Sequence, residues 1–337
     1  MVSSPLTATC KFCSEVSKTN GEDPIGSANP SDRWMVMELP LPWTEERFHH
    51  DPILHPLHDL LHELFEQGIQ LAPMLIAPDQ EYAVLDRAHL FYYQRSVQAF
   101  GSLEKQTFLA PPSEMANLIK VLLCQPEDVA QFAAYQQPAD SRRDIMVCTH
   151  GNIDVACARF GQPIYTRLRN EYADNQLRVW RCSHFGGHQF APTLMDFPTG
   201  QAWGHLEPEI LPALVNRDRP VAELRSFYRG QAGLSKFEHI VEREVWLQRG
   251  WEWLDYRKTG QVLAQDDENA DWAEILIDFA APNGLETGTY KARVEACGSV
   301  ITAHNSGAAT TSVKQYRVSY LNQISSNRDA EISKKSV

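Results

Sequence analysis

The order of short apolar segments and helical patterns nearly repeats along the chain, on either side of a polar stretch at residues 136–143. Short apolar runs bounded by Gly, Pro or polar residues favour strands, whereas leucines at helical spacing favour an amphipathic helix. The first unit predicts a strand, a helix, three strands and a helix, at 33–39, 51–68, 71–76, 90–95, 105–109 and 116–123. The second predicts a strand, a helix, a strand, a hairpin and a helix, at 144–148, 163–172, 177–182, 189–206 and 210–215.

This repeated order predicts an α/β fold. A strand–helix–strand unit followed by a hairpin and a helix is a thioredoxin-like arrangement, so we expect two such domains in tandem, at 31–135 and 143–217. A small α+β domain whose role the sequence does not reveal is expected at 221–323. Polar composition predicts a loose N-terminal arm at 1–30 and a disordered tail at 324–337.

Bulk properties exclude several classes of function. The chain has 43 acidic and 31 basic residues and a formal net charge of −12, which disfavours nucleic acid and anionic lipid as partners. It contains no apolar run of roughly 18 residues, the length that predicts a membrane span. The N-terminus lacks the basic and apolar regions of a secretory signal, and the seven cysteines are an odd number. We therefore expect a reducing, cytoplasmic location rather than a disulfide framework.

Two cysteines and two histidines follow neighbouring strands of the second unit. Cys148 ends the first predicted strand and Cys157 follows after eight intervening residues, whereas His184 and His188 come after the next strand. Loops that leave adjacent parallel strands at the same edge of a sheet lie side by side, so we expect the four side chains to converge. Gly186 and Gly187 disfavour a helix between the histidines and predict a loop that approaches its ligand closely.

Such a donor set suits either of two metal groups. Structural zinc sites commonly place about two to four residues between cysteines, fewer than separate this pair. A [2Fe–2S] cluster is larger and accepts two imidazoles in place of two thiolates. The spacing therefore favours an iron–sulfur cluster, with a structural zinc site in an interaction protein as the alternative.

A combination of motifs resembles the sucrase/ferredoxin-like family over roughly residues 10–210. The matching residues are Cys148-Thr149-His150-Gly151, Asp154, Cys157, Ser183-His184-Phe185-Gly186-Gly187-His188, Phe190-Ala191, Trp203-Gly204, Asn20-Gly21-Glu22-Asp23-Pro24-Ile25-Gly26-Ser27-Ala28, Leu41-Pro42-Trp43 and, more loosely, Phe227-Tyr228-Arg229-Gly230. The resemblance implies a thioredoxin-like ferredoxin in which Cys148 and Cys157 supply thiolate ligands and His184 and His188 supply imidazole ligands to [2Fe–2S]. The "sucrase" label finds no support, because no pair of carboxylates is placed for glycoside hydrolysis.

Residues beside this set have simpler interpretations. Cys182 stands where the resemblance leads us to expect serine, and is either a substitute ligand or a bystander in the strand. His150 is expected to cap the loop or to bond a cluster sulfur rather than to act as a third imidazole ligand. Asp154 is expected to cap a helix that bears Cys157, and Trp203 with Gly204 to pack beneath the site.

Two further clusters carry weaker signals. Cys10 and Cys13 form a Cys-x-x-Cys pair, but the predicted loose arm lacks the strand and helix of a thioredoxin-type redox motif. A thiol oxidoreductase that uses this pair or Cys148 is therefore a third hypothesis. His55, His58 and His62 lie on one predicted helix face, with His49 and His50 upstream, where half-exposed histidines are ordinary.

The expected function is one-electron transfer to or from an unidentified redox partner protein. We expect an electron carrier rather than a catalyst with its own substrate, since the motifs predict a cluster and no catalytic residues. The sequence does not identify the donor, the acceptor or the residues that share an iron.

Overall fold

The computed structural model describes residues 11–95 and 101–326 as a mixed α/β fold. Its helices are α1 (Cys13–Thr19), α2 (Glu45–His50), α3 (Leu54–Glu66), α4 (Met115–Cys124), α5 (Val155–Glu171), α6 (Leu211–Asn216) and α7 (Lys236–Arg249). Its strands are β1 (Arg33–Glu38), β2 (Ala72–Ile76), β3 (Ala88–Arg95), β4 (Leu103–Ala110), β5 (Arg143–Cys148), β6 (Leu177–Cys182), β7 (Leu194–Phe197), β8 (Gln201–Trp203), β9 (Tyr228–Gln231), β10 (Arg257–Gln265), β11 (Trp272–Ala280), β12 (Thr287–Ala303) and β13 (Thr310–Ser326). The predicted α/β class is confirmed.

Within the described residues, β1–β9 form one mixed sheet in the order β4-β3-β1-β2-β6-β5-β7-β8-β9. The first unit (β1–β4 with α2–α4) and the second unit (β5–β8 with α5 and α6) have the same strand order, 4-3-1-2 and 8-7-5-6. Each has a central parallel pair, β1 with β2 and β5 with β6, flanked by antiparallel strands. The units meet where Ile76 of β2 pairs with Cys182 of β6, so they form a continuous sheet.

A buried ionic network crosses the junction between the units. The Asp144 carboxylate on β5 accepts hydrogen bonds from Tyr93 and Lys105 of the first unit and from Arg178 and Trp180 of β6, at 2.6 to 3.1 Å. Burial alone would raise the pKa of Asp144, but the charges and hydrogen bonds of Arg178 and Lys105 hold it below its ordinary value. The fully buried carboxylate is therefore ionised and links strands of both units.

Helix α5 begins eight residues earlier than the sequence predicted. Asp154 accepts a hydrogen bond from the Ala156 amide at 2.8 Å and so caps the helix at Val155, as expected of this residue. Pro163, the predicted start of the helix, lies inside it. Cys157 is consequently in the first turn of α5, as expected of a helix that Asp154 caps. Gly161 lets the helix pack closely on β5, since a Cβ there would lie 2.0 Å from the Cys148 carbonyl oxygen.

The C-terminal part of the chain is attached directly to the second unit. β9 adds to the large sheet beside β8, and β10–β13 form a separate antiparallel sheet that α7 contacts. One apolar cluster contains Ile145 and Val179 of the second unit together with Ile240 of α7 and Ile275 of β11. Helix α7 and strands β10–β13 begin within residues 221–323, where a small α+β domain was predicted.

The N-terminal segment that the structure describes is folded, so the predicted loose arm is wrong for residues 11–30. Helix α1 buries Cys13, Ser14 and Ser17, and the Ser17 hydroxyl lies 3.1 Å from Nε2 of His205. Asn20 donates to the carbonyl of Ile301 on β12 at 2.7 Å. Polar contacts of this kind leave no apolar pattern in the sequence. At the other end, β13 reaches Ser326 and so includes residues 324–326 of the tail predicted at 324–337; residues 1–10 and 327–337 lie outside the described residues.

Candidate metal centre

Two loops meet at the ends of the central strands of the second unit. Cys148 of β5 is in register with Cys182 of the parallel strand β6, and the Thr149 amide donates to the Cys182 carbonyl at 3.1 Å. Beyond that pair, the His184 amide donates to Nδ1 of His150 at 3.4 Å. Because the strands are parallel and in register, the loops at 149–154 and 183–188 leave the sheet together.

Three of the four predicted ligands converge closely. The sulfurs of Cys148 and Cys157 and a ring nitrogen of His184 all lie within 4.8 Å of one another. Nδ1 of His184 is 4.0 Å from Sγ of Cys148 and 3.7 Å from Sγ of Cys157. Both cysteines are buried, whereas His184 is half-buried. The three side chains therefore form a compact donor set with its imidazole toward the outside.

His188, the fourth predicted ligand, lies beside this set. Its ring centroid is 5.0 Å from that of His184, with the rings inclined by 36°. Its Nε2–H donates to the backbone carbonyl of His304, while its buried Nδ1 has no hydrogen-bond partner among the residues described. In a neutral imidazole that donates through Nε2, Nδ1 carries the lone pair. A buried lone pair without a partner is what a metal ligand presents before it binds.

A second group of potential ligands shares His188. Side-chain donor atoms of Cys13, Asp154 and His188 also lie within 4.8 Å of one another. The Ser306 hydroxyl donates to Asp154 at 2.7 Å, and the Cys13 amide donates to that hydroxyl at 3.1 Å. The sequence marked Cys13 only as half of a Cys-x-x-Cys pair, and Cys10 lies outside the described residues. Sequence spacing gave no sign that α1 places the Cys13 thiol beside the second histidine.

The two thiols of the first group share a proton unequally. The Cys157 thiol donates to Cys148, and this hydrogen bond is the main cause that holds the pKa of Cys148 well below its ordinary value. The same bond raises the pKa of Cys157, because its proton stabilises the neighbouring thiolate. Cys148 and Cys157 therefore offer one thiolate and a second thiol that loses its proton when a metal binds. In the second group, burial raises the pKa of the Cys13 thiol to about 11.

The Gly186-Gly187 segment has the backbone that the sequence predicted. Both residues have positive φ, 100° and 77°, which only glycine adopts without strain. A Cβ on Gly187 would lie 2.3 Å from Nη2 of Arg229, a buried arginine on β9. The loop that carries both histidines therefore rests directly on a guanidinium group.

The neighbouring residues have structural contacts. His150 donates through Nε2 to the Trp43 carbonyl at 2.9 Å and so braces its loop. Cys182 is fully buried in an apolar cluster with Met74 and Trp180, which fits the bystander interpretation. The buried Trp203 belongs to the apolar cluster that the second unit shares with α7 and β11, and Gly204 packs against Phe190.

The histidines of α3 do not assemble with other donors. The side chains of His55, His58 and His62 are exposed and pair with Asp59 or Glu66. Across residues 11–95 and 101–326, none of them joins a group of three potential metal ligands. In the same residues, no helix is both long and apolar enough to cross a membrane.

The amino-acid sequence matches a known protein family. Residues 24–230, more than half of the chain, match the sequence model of the sucrase/ferredoxin-like family. The chain belongs to the sucrase/ferredoxin-like family. The match spans both units of this sucrase/ferredoxin-like protein and ends in β9, so α1, α7 and the four-stranded sheet lie outside it. Comparisons with curated proteins and with solved structures gave no match.

Proposed function

We propose that this sucrase/ferredoxin-like protein transfers single electrons through a [2Fe–2S] cluster held by Cys148, Cys157, His184 and His188. The observation that carries the proposal is the convergence of two sulfurs and one imidazole nitrogen within 4.8 Å, beside a second imidazole whose buried Nδ1 lacks a partner. When bound, such a cluster accepts and releases one electron, and imidazole ligands raise its reduction potential. The family relationship supports a redox role.

The residues around the site have separate tasks in this proposal. The Cys148 thiolate provides the first anionic donor, and Cys157 provides the second after losing its proton. The His304 carbonyl fixes the tautomer of His188, leaving Nδ1 as the donor atom. The half-buried histidines form the outer side of the site, where a partner protein can approach.

We further propose that both units are thioredoxin-like and that only the second retains the donor set. The repeated strand order of the sheet supports this interpretation. With a net charge of −12, the chain suits a redox partner that is locally basic, in the reducing cytoplasm that its free cysteines favour. In this role the protein is a carrier and needs no substrate site of its own.

Metal analysis tests the proposal directly. Protein purified without oxygen is expected to contain equimolar iron and acid-labile sulfide, to be coloured, and to give an EPR signal after one-electron reduction. Cys148→Ser is expected to abolish all three properties, because no other thiolate of the first group can replace it. Cys124→Ser removes an exposed cysteine of the first unit and is the matched control, expected to keep full iron content. Colourless protein with stoichiometric zinc would instead establish the structural zinc site.

The two donor groups that share His188 are separated by a second pair of variants. His188→Ala is expected to change the EPR signal and lower iron content, whereas Cys13→Ser is expected to leave both unchanged. If Cys13→Ser loses iron while His184→Ala retains it, the metal is held by the Cys13, Asp154 and His188 group, and the proposed ligand set is wrong.

A further inference from the structure

Arg229 is a buried cation in contact with the histidine loop. Its side chain is only 1% exposed. Its Nη1 donates to the Gly186 carbonyl at 3.1 Å, its Nη2 to the Ser27 carbonyl at 2.7 Å, and its Nε to the Ser27 hydroxyl at 2.9 Å. All three acceptors are neutral, so these bonds position the guanidinium without cancelling its charge.

In the described parts of the chain, no carboxylate oxygen lies within 4.0 Å of a guanidinium nitrogen of Arg229, the distance that defines an ion pair. Burial lowers the pKa of this arginine to about 10, and the change is opposed by the negative charge of Cys148 and, once its thiol has lost its proton, of Cys157. The group therefore remains protonated at neutral pH. A buried charge without a counter-ion is strongly unfavourable unless a nearby anion compensates it.

Other buried arginines of the chain are paired differently. Arg178 contacts the carboxylates of Asp144 and Asp140, and Arg243 on α7 contacts Asp23 at 2.7 Å. Arg229 instead contacts the Gly186 carbonyl of the histidine loop, and the charges that act on it are those of the cysteine sulfurs of the candidate centre. The contrast indicates that the negative charge that balances Arg229 is the metal centre itself.

The space around Arg229 is shaped by small residues. A Cβ on Gly187 would lie 2.3 Å from Nη2, and a Cβ on Gly204 would lie 3.1 Å from Cδ. The rings of Phe185 and Phe190 lie 5.9 and 5.7 Å from the guanidinium carbon and exclude water on those sides. The guanidinium thus occupies a fitted, dry position directly behind the loop.

We infer that Arg229 is a positioning residue that supplies fixed positive charge to the metal centre and favours its reduced form. The inference rests on the proposed [2Fe–2S] function. Adding one electron adds one negative charge to the centre, and a nearby cation in a low-dielectric interior stabilises that added charge. Its bond to the Gly186 carbonyl also holds the loop that presents His184 and His188.

The test is the midpoint potential of variants in the full-length, iron-loaded protein. Arg229→Gln removes the charge and is expected to lower the equilibrium constant for reduction at least tenfold, which is about 59 mV for a one-electron couple. Arg229→Lys keeps the charge and is expected to shift the midpoint potential by less than half as much as Arg229→Gln does. Arg243→Gln removes a buried cation that is paired with Asp23, and is expected to leave the potential unchanged.

Each outcome decides the inference. An Arg229→Gln protein that keeps its iron and its potential would overturn it. If Arg229→Gln loses iron while Arg229→Lys retains iron near the original potential, the requirement for charge is supported. If both variants lose iron, the role of Arg229 is geometric and the electrostatic inference is wrong. Absence of iron from the unsubstituted protein, measured first, would reject the proposed function itself.

Discussion

The first and second units have the same strand order but present different chemistry at the same place. In the second unit, the ends of β5 and β6 carry the thiols and imidazoles of the candidate centre. In the first unit, the ends of β1 and β2 open into a cleft of about 220 Å³, lined mainly by apolar residues such as Leu39, Ile53 and Pro78. β5 ends at Cys148, whereas the corresponding strand β1 ends at Glu38. A carboxylate oxygen of Glu38 lies 2.5 Å from Nδ1 of His89.

The two units differ most in the loop that follows the first central strand. It runs from 39 to 53 and contains α2 in the first unit, but only from 149 to 154 in the second. The short loop brings the N-terminus of α5, and with it Cys157, directly over the end of β5. A common arrangement of strands therefore provides the position, and a few loop residues determine the chemistry.

The first prediction tests whether the units form one cooperative structure. Asp144→Asn keeps the shape of the buried side chain but removes the charge that Arg178 and Lys105 share. We expect the free energy of unfolding to fall by about 3 kcal/mol or more, because a broken buried ion pair leaves cations without compensation. Urea unfolding followed by tryptophan fluorescence and by circular dichroism measures the loss.

Glu104→Gln, on the exposed surface of β4, is the control and is expected to change stability by less than about 0.5 kcal/mol. A loss below about 1 kcal/mol in Asp144→Asn, or two separate transitions in the unsubstituted protein, would show that the units are stabilised independently.

The second prediction concerns the close packing that the short loop imposes. Gly161→Ala places a methyl group 2.0 Å from the Cys148 carbonyl oxygen, a backbone atom that cannot rotate away. We expect a loss of about 1–3 kcal/mol from overpacking, although alanine by itself favours a helix. Iron content should fall too, since α5 carries Cys157. Gln162→Ala, one residue along on the exposed side, is the control. An unchanged Gly161→Ala protein would contradict the tight contact between α5 and β5.

The third prediction is a pH dependence of folding stability that originates from one histidine of the second unit. Burial lowers the pKa of His205 to about 3, so the unfolded chain binds a proton below pH 6.5 that the folded chain does not. Stability from this group is complete above pH 6.5 and is lost as pH falls from there toward 3, by about 1.4 kcal/mol at pH 5.5.

His205→Gln is expected to flatten the stability profile between pH 7 and 5. His62→Gln, on the exposed face of α3 in the first unit, is expected to leave the slope unchanged. Equal slopes in the unsubstituted protein and in His205→Gln would mean that His205 takes up its proton in the folded state.

The sequence predicted the central strands well because they are buried apolar runs with clear ends. It predicted the convergence of Cys148, Cys157 and His184 because parallel strands in register bring their following loops together. Helix α1 escaped prediction because its seven residues contain few apolar side chains: Cys13 and Val16 pack in a small apolar cluster, and polar contacts such as that between Ser17 and His205 attach the rest. Arg229 carried no local signal either, since only the folded sheet places β9 behind a loop more than 40 residues earlier in the chain.

The turn after β12 connects distant parts of the molecule. Its His304 carbonyl receives Nε2–H of His188, and its Ser306 binds both Asp154 and the Cys13 amide. These residues lie beyond position 230, where the family match ends. A shortened chain that ended there would keep all four proposed donors but lose the acceptor that sets the ring orientation of one of them. In this protein, the appended sheet thus supplies part of the surroundings of the candidate centre, since its turn holds the ring of the second histidine.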